Sequence, residues 1–268
     1  MLNRDSENSA FTCPSVNIQR GSIARIVLNR PDALNALNAE TAEAFRQACE
    51  TVIADKETRV LIISGAGRAF SAGGDVAEMH ACPSSNPIRI IEALHHSLLL
   101  LEEAPIVVIS QLHGIVAGGA VGLALMCDLA IASANTRFNL AYAQLGASCD
   151  CGTSWVLPRL MGWRQALKTV LLQPNLSAEE ALNQGLISHQ VPEASLEDAV
   201  NRIAVQLSTA PKQTIASAKK LMRRSLEHTL AQQLNMEAEH FAACTKSADF
   251  VEGLAAFVEK RKPVFGQE

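Results

Sequence analysis

The chain has 268 residues, 48% of them apolar and 19% charged, which allows a sizeable core and leaves little for long disordered tails. Lysine plus arginine number 23 against 27 acids, and the net charge of −4 gives no case for nucleic acid or an anionic membrane as partner, though a local basic pocket stays possible. The seven cysteines, at 13, 49, 82, 127, 149, 151 and 244, are odd in number and lack a repeated spacing, as expected of a cytoplasmic protein that keeps its thiols reduced.

Met1–Pro14 carries Arg4, Asp5 and Glu7 without an apolar signal core and reads as a frayed start. Ser22–Asn29 and Val60–Ser64 are β-branched runs of strand length. Between them Asn38 is placed to cap a helix whose Ala42, Phe45, Cys49 and Val52 recur at helical spacing up to Lys56. Ile88–Glu103 reads as a helix, Pro105–Gln111 as a buried strand, Gly118–Met126 as a short helix and Cys127–Ser133 as a strand. Glu102 and Glu103 interrupt the best apolar stretch far short of the ~18–20 residues that cross a bilayer, so a soluble protein is expected. Strands alternating with helices to this point argue for an α/β layer. After Gly162 the β signal fades. Ser177-Ala-Glu-Glu180 fits a capping box, and Ser195–Leu207, Pro211–Leu226 and Glu227–Cys244 follow as helices, with Pro211 in a first turn.

Several familiar signals fail on inspection. Gly114 and Gly119 have phosphate-loop spacing, but Ala120 and Val121 stand where lysine and serine or threonine belong. Gly65-Ala-Gly67 starts like a dinucleotide fingerprint and meets Phe70 in place of the third glycine. Gly152-Thr-Ser154 meets Val156 where a nucleophile elbow needs glycine. Cys149 and Cys151 have no second ligand cluster, so thiol packing is expected and no metal site. His95 and His96, adjacent on a helix, read as one facing in and one facing out.

Two glycine-rich turns, each following a strand, remain. They are Ser64-Gly-Ala-Gly-Arg-Ala-Phe-Ser-Ala-Gly-Gly-Asp75 and His113-Gly-Ile-Val-Ala-Gly-Gly-Ala-Val-Gly122. Glycines let backbone N–H groups approach a ligand, and a helix opening at Gly118 aims its positive end at the same spot; two such donors make an oxyanion hole. Tight turns and close helix–strand packing alone would also use these glycines.

At these residues the chain resembles the enoyl-CoA hydratase/isomerase (crotonase) superfamily. The resemblance runs from Ile26 to Phe265. It takes in Leu28–Leu37, Ala69–Asp75, Gly114–Asp128, Leu157–Gly162 and Phe257–Phe265, in family order and spacing. It implies an α/β crotonase fold: a spiral of strand–strand–helix units over 1–197 carrying an acyl-CoA site, then a helical trimerisation region over 198–268. By the same resemblance the amides of Gly74 and Gly119 hold the thioester oxygen. Coenzyme A is then part of the substrate, with no separate cofactor, and a homotrimer or dimer of trimers is expected.

The two glutamates that position water in the family's hydratases fall here on Gly122 and Tyr142. Between Gly114 and Asp150 the only acids are Asp128, which the family pattern makes structural, and Asp150. The stretch Ser148–Gly162 looks like the subgroup of enoyl-CoA and epoxyphenylacetyl-CoA isomerases, where a carboxylate at Asp150 is the base. That implies a shift of a double bond, from Δ3 to Δ2 or in a ring-acyl-CoA. Cys149, Cys151 and Trp155 would desolvate Asp150 and raise its basicity. The alternative for Asp150 is a cap on the helix opening near Gly152. Tyr142 either donates to substrate or fills the space of the lost glutamate, and Asp75 is expected to be a structural partner of its turn. Further contacts to coenzyme A are implied for Ala33, Leu34, the Ala72-Gly73-Gly74 turn, and Phe257 and Lys260 from a neighbouring subunit; Arg261 and Lys262 read more simply as a solvated helix end. Val76–Ile88 and the helix after it are expected along the acyl tunnel, with Pro83–Pro87 a flexible-looking segment. Hydratase, dehalogenase or thioester hydrolase chemistry on the same fold, or a non-catalytic or RNA-binding relative, are the competing readings.

Overall fold

The computed structural model describes residues 13–173 and 175–266. The frayed start therefore lies outside the described residues except for Cys13 and Pro14, where the chain already turns, the Val16 amide donating to Cys13 O at 3.3 Å. Strands β1 (Val16–Gln19) and β2 (Ile23–Leu28) form an antiparallel pair. Helix α1 (Ala39–Ala54) is capped as its sequence predicts: the Thr41 amide donates to the Asn38 side chain at 2.9 Å. Then come β3 (Val60–Gly65), α2 (Val76–Ala81), α3 (Asn86–Glu103), β4 (Val107–Leu112), β5 (Ile115–Ala117), α4 (Gly119–Leu125), β6 (Leu129–Ser133) and β7 (Arg137–Asn139). Helices α5 (Thr153–Met161) and α6 (Trp163–Leu172) lead to β8 (Asn175–Ser177), α7 (Ala178–Asn183) and β9 (His189–Val191). The chain closes with α8 (Leu196–Ser208), α9 (Lys212–Arg224), α10 (Leu230–Cys244) and α11 (Ala248–Glu259). Pro211 stands at the N-cap of α9, one place before its first turn.

The main sheet has the order β1-β2-β3-β4-β6-β9, parallel from β2 onward. Both of its faces are covered, which is why Val60-Leu-Ile-Ile63 is a continuous apolar run, every member 0% exposed. One face packs on α1 and α3; the other holds Val60, Ile62, Val107, Ile109 and Ile131 against Leu196, Val200 and Ala204 of α8. The expected division at 197/198 thus falls inside a helix that belongs to the sheet. A second sheet, β5-β7-β8, is extended by a single bridge from Ser71 to Val116.

Each of the middle turns of the chain runs along a long strand of the main sheet, crosses the second ladder in about three residues, and continues into a helix or loop. Successive crossings are Ser71, β5 and β7, stacked in parallel. The segments leaving these crossings, Gly73-Gly74, Gly118-Gly119 and the 140–150 loop, are therefore brought to one edge. That stacking builds the site.

Asp128 ties the layers together. It accepts the Val108 amide at 2.8 Å and pairs with Lys219 at 2.9 Å and Arg223 at 2.7 Å, the structural role expected of it. Among the described residues no helix is long and apolar enough to cross a membrane.

Candidate active site

The two glycine turns lie side by side. Ser71 N donates to Ile115 O at 3.1 Å and Ala117 N to Ser71 O at 3.0 Å. A Cβ on Gly73, whose φ is +85°, would fall 2.5 Å from Ala117 O, so only glycine fits there. Gly73 N donates to Ser71 Oγ at 3.1 Å and Gly118 N to Asn139 O at 2.9 Å. The next amide in each turn, that of Gly74 and of Gly119, has no acceptor among the described residues. Two adjacent turns thus each present one free donor, the requirement for holding an oxyanion. The Met79 methyl lies over Gly74, where a Cβ would come within 2.0 Å of it; as a flexible thioether it can yield to a ligand.

The first turn is stapled to the segment that carries Ala33 and Leu34. Buried Asn35 accepts the Arg30 amide at 2.8 Å and donates to Ala66 O and Ala69 O, both at 2.8 Å. Ala72 N donates to Leu34 O at 2.9 Å and Leu37 N to Gly73 O at 2.7 Å. Ala33 and Leu34 therefore lie along the Ala72–Gly74 turn. Asp75 faces the other way, capping α2 through the Glu78 amide and pairing with Arg30 at 3.1 Å, the structural part expected of it.

Asp150 comes up against Gly119. Its oxygens lie 3.0 and 3.2 Å from where a Gly119 Cβ would stand. The turn that delivers it puts both Cys151 (φ 46°) and Gly152 (φ +74°) in the left-handed region, an arrangement that costs about 1–2 kcal/mol at a non-glycine residue. Its side chain does not cap α5; Gly152 occupies the cap, without a side-chain hydrogen bond. Oδ1 accepts the Tyr142 hydroxyl at 2.8 Å, and Thr153 Oγ1 lies 3.1 Å from that hydroxyl. Tyr142 is thus hydrogen-bonded to Asp150, a contact that neither expectation for it named.

Burial pushes the Asp150 carboxyl above its ordinary value and outweighs the hydrogen bond from Tyr142, which pulls it down. Burial also raises the Cys149 and Cys151 thiols, and the Asp150 charge adds to the shift, so both stay protonated packing groups. His95 is placed by the Cys151 amide, which donates to Nε2 at 3.2 Å. Of the two histidines, expected to face one in and one out, both are solvent-exposed, yet His95 turns toward Cys151 while His96 lies 3.3 Å from Glu50 on the outer side. Beyond His95 a cavity of about 400 Å³ is lined by Leu98, Leu99, Met126 and Trp155 and by the charged side chains of Glu102, Glu103, Arg224 and Glu227.

At Gly122 a Cβ would fall 2.2 Å from Cys151 O and 2.6 Å from Thr153 Oγ1, so the 151–153 turn closes the position to any side chain. No carboxylate stands at either of the two water-positioning places. Phe257, 84% exposed, and Lys260 lie at the end of α11, and among the described residues no hydrogen bond or ion pair joins them to the glycine turns. Arg261 is taken up by Glu252 and Glu259, both at 2.6 Å, as befits a helix end. Among the described residues no group of three or more His, Cys, Asp or Glu could hold a metal ion. His95 and Thr153 carried no sequence signal as site residues. Thr153 entered only as part of the failed Gly152-Thr-Ser154 elbow, and His95 reaches Cys151 across more than fifty residues.

The family model for enoyl-CoA hydratase/isomerase matches residues 19–268. The 1,2-epoxyphenylacetyl-CoA isomerase of Escherichia coli (strain K12) is 33% identical over 253 residues, 93% of this chain and 96% of that protein. The short-chain-enoyl-CoA hydratase of Clostridium acetobutylicum is 31% identical over 247 residues, 91% of this chain and 94% of that one. Among solved structures, an enoyl-CoA hydratase from Bacillus anthracis matches with a TM-score of 0.89 at 28% identity, covering 95% of this chain and 100% of the other.

Proposed function

The chain belongs to the enoyl-CoA hydratase/isomerase family and has its crotonase fold, and from that premise we propose that it is an acyl-CoA isomerase whose acid/base group is Asp150. The observation that carries this reading is the single carboxylate seated against Gly119 while the position of Gly122 is sterically closed. Hydration needs a water molecule held between basic and acidic groups; a 1,3 double-bond shift needs one group that takes a proton and gives it back.

The thioester oxygen rests on the Gly74 and Gly119 amides. Asp150 removes a proton from the carbon beside the carbonyl, and the electron pair moves onto that oxygen as a dienolate. Two preorganised donors favour the anion over the neutral ground state, and losing one typically costs ~3–4 kcal/mol of barrier. Asp150 then returns the proton two carbons further along, and the double bond comes to rest conjugated with the carbonyl. The raised carboxyl value makes Asp150 a stronger base than an exposed aspartate.

The adenine and pantetheine portions follow Ala33, Leu34 and the Ala72–Gly74 turn, and the acyl tail enters the cavity beside Trp155. The assembly is a homotrimer or a dimer of trimers, a reading supported by the exposed apolar side chains of Met222, Leu230, Phe241, Leu254 and Phe257 along α9–α11. In that assembly Phe257 and Lys260 serve a neighbour's site. The test is product analysis with 3-enoyl, 2-enoyl and aryl-acyl CoA thioesters. Isomerisation leaves the mass unchanged. Addition of one water, release of free coenzyme A, or an adduct on Asp150 would each overturn the reading in favour of hydration, hydrolysis or nucleophilic displacement.

A further inference from the structure

The two oxygens of Asp150 have different surroundings. Oδ1 accepts the Tyr142 hydroxyl at 2.8 Å, and among the described residues nothing donates to Oδ2. The Tyr142 oxygen lies 3.1 Å from Thr153 Oγ1. A carboxylate only accepts, so the tyrosine proton points at Asp150, and the threonine hydroxyl is left to donate to the tyrosine oxygen. Donation therefore runs one way, from Thr153 to Tyr142 to Asp150.

Both donors are sealed from solvent, Thr153 at 0% exposure and Tyr142 at 6%, so water does not compete. Each is also tied down by its backbone. Thr153 N donates to Asp150 O at 2.9 Å, and Tyr142 O accepts from Ala147 N at 3.0 Å. Burial, chiefly, raises the phenol well above its ordinary value, so it stays a donor across the working pH range.

We infer that Tyr142, oriented by Thr153, is a positioning residue that reserves Oδ1 as a standing acceptor and so assigns proton uptake and return to Oδ2 alone. This rests on the isomerase reading of the site. The balance is simple. The α C–H bond breaks, its proton bonds to Oδ2, and its electron pair becomes the dienolate. The Oδ2–H bond then breaks as the γ C–H bond forms. In the intermediate Oδ1 is the carbonyl oxygen of a neutral acid and still accepts from Tyr142, so nothing in the chain has to turn between the two transfers. One proton seat facing one side of the substrate makes both transfers suprafacial.

The experiment compares Tyr142→Phe, Thr153→Val and Asp150→Asn in rate, KM and pH profile for isomerisation. Phenylalanine keeps the ring and its packing and removes one hydrogen bond to the ionised carboxylate. The expected result for Tyr142→Phe is a kcat lower by about tenfold to a hundredfold with KM unchanged, and an acid limb moved to higher pH because the charged form of Asp150 has lost a donor. Thr153→Val, which touches neither ring nor carboxylate, moves the same limb the same way by less. If Tyr142 only fills space, Tyr142→Phe keeps the wild-type limb and rate, and the inference is overturned. Asp150→Asn separates the two levels: an inactive Asp150→Asn beside a wild-type-like Tyr142→Phe refutes the positioning role alone, whereas isomerisation surviving Asp150→Asn refutes the reaction assignment itself.

Discussion

Replacing Gly119 by alanine tests the seating of the base without touching the base. The added methyl would stand 3.0 Å from Asp150 Oδ1 and from Cys151 Sγ, and 3.2 Å from Oδ2. These contacts are a few tenths of an ångström too short, so the carboxylate must retreat by about that much. Gly119 does not need a left-handed backbone, and alanine is the better helix former in the first turn of α4, so the fold tolerates the change. Catalysis is less tolerant: productive geometry holds within about 0.5 Å, and a 1 Å misplacement costs roughly a hundredfold. A retreat of a few tenths of an ångström takes only part of that hundredfold, so Gly119→Ala should lose about threefold to tenfold in kcat, with a melting temperature close to wild type. Steady-state isomerisation and a thermal melt measure both. An unchanged kcat would mean that Asp150 does not sit against Gly119 during turnover, and the proton-shuttle geometry would have to be abandoned.

The same contacts fix three further outcomes. Gly122→Ala drives a Cβ to 2.2 Å from Cys151 O, a backbone clash expected to cost about 1–3 kcal/mol in denaturant unfolding; an undiminished stability would show that the 151–153 turn is not packed there. Asp128→Ala strands Lys219, whose side chain is 7% exposed, together with Arg223, and should cost about 3–5 kcal/mol, read as a lower midpoint at constant slope; a change under about 1 kcal/mol would contradict the pairing. The raised Asp150 value makes its contribution to stability present below the ordinary carboxylate value and lost as pH rises through the folded one. Asp150→Asn should therefore raise the melting temperature at neutral pH, and the gain should vanish in acid; a gain independent of pH would refute the linkage.

The long elements were legible because local chemistry and tertiary packing agree. Asn38 caps α1, Ser177 and Glu180 form the reciprocal capping box of α7, and Val60–Ile63 is buried on both faces as its unbroken apolar run requires. The three-residue strands β5, β7, β8 and β9 were not legible, since three residues hold no period and their pairing is set by the stacking of the spiral. Helix α2 hid in the same way: its cap, Asp75, also belongs to the glycine turn. At the site, the glycine turns stood out in the sequence, while Gly74, Gly119 and Asp150 were singled out by the resemblance to the family. The contact of Tyr142 with Asp150 depends on the left-handed Cys151-Gly152 turn, and that of His95 with Cys151 on the packing of α3, neither of which a pattern of residue types encodes.

Deuterium exchange at the carbon beside the thioester, followed by nuclear magnetic resonance in heavy water, is the most direct measurement of whether residue 150 carries the proton. Wild-type protein should wash deuterium into that carbon of a bound acyl-CoA, while Asp150→Asn binds the same thioester with similar affinity and exchanges nothing. Exchange at an undiminished rate in Asp150→Asn would place the base elsewhere and contradict the account.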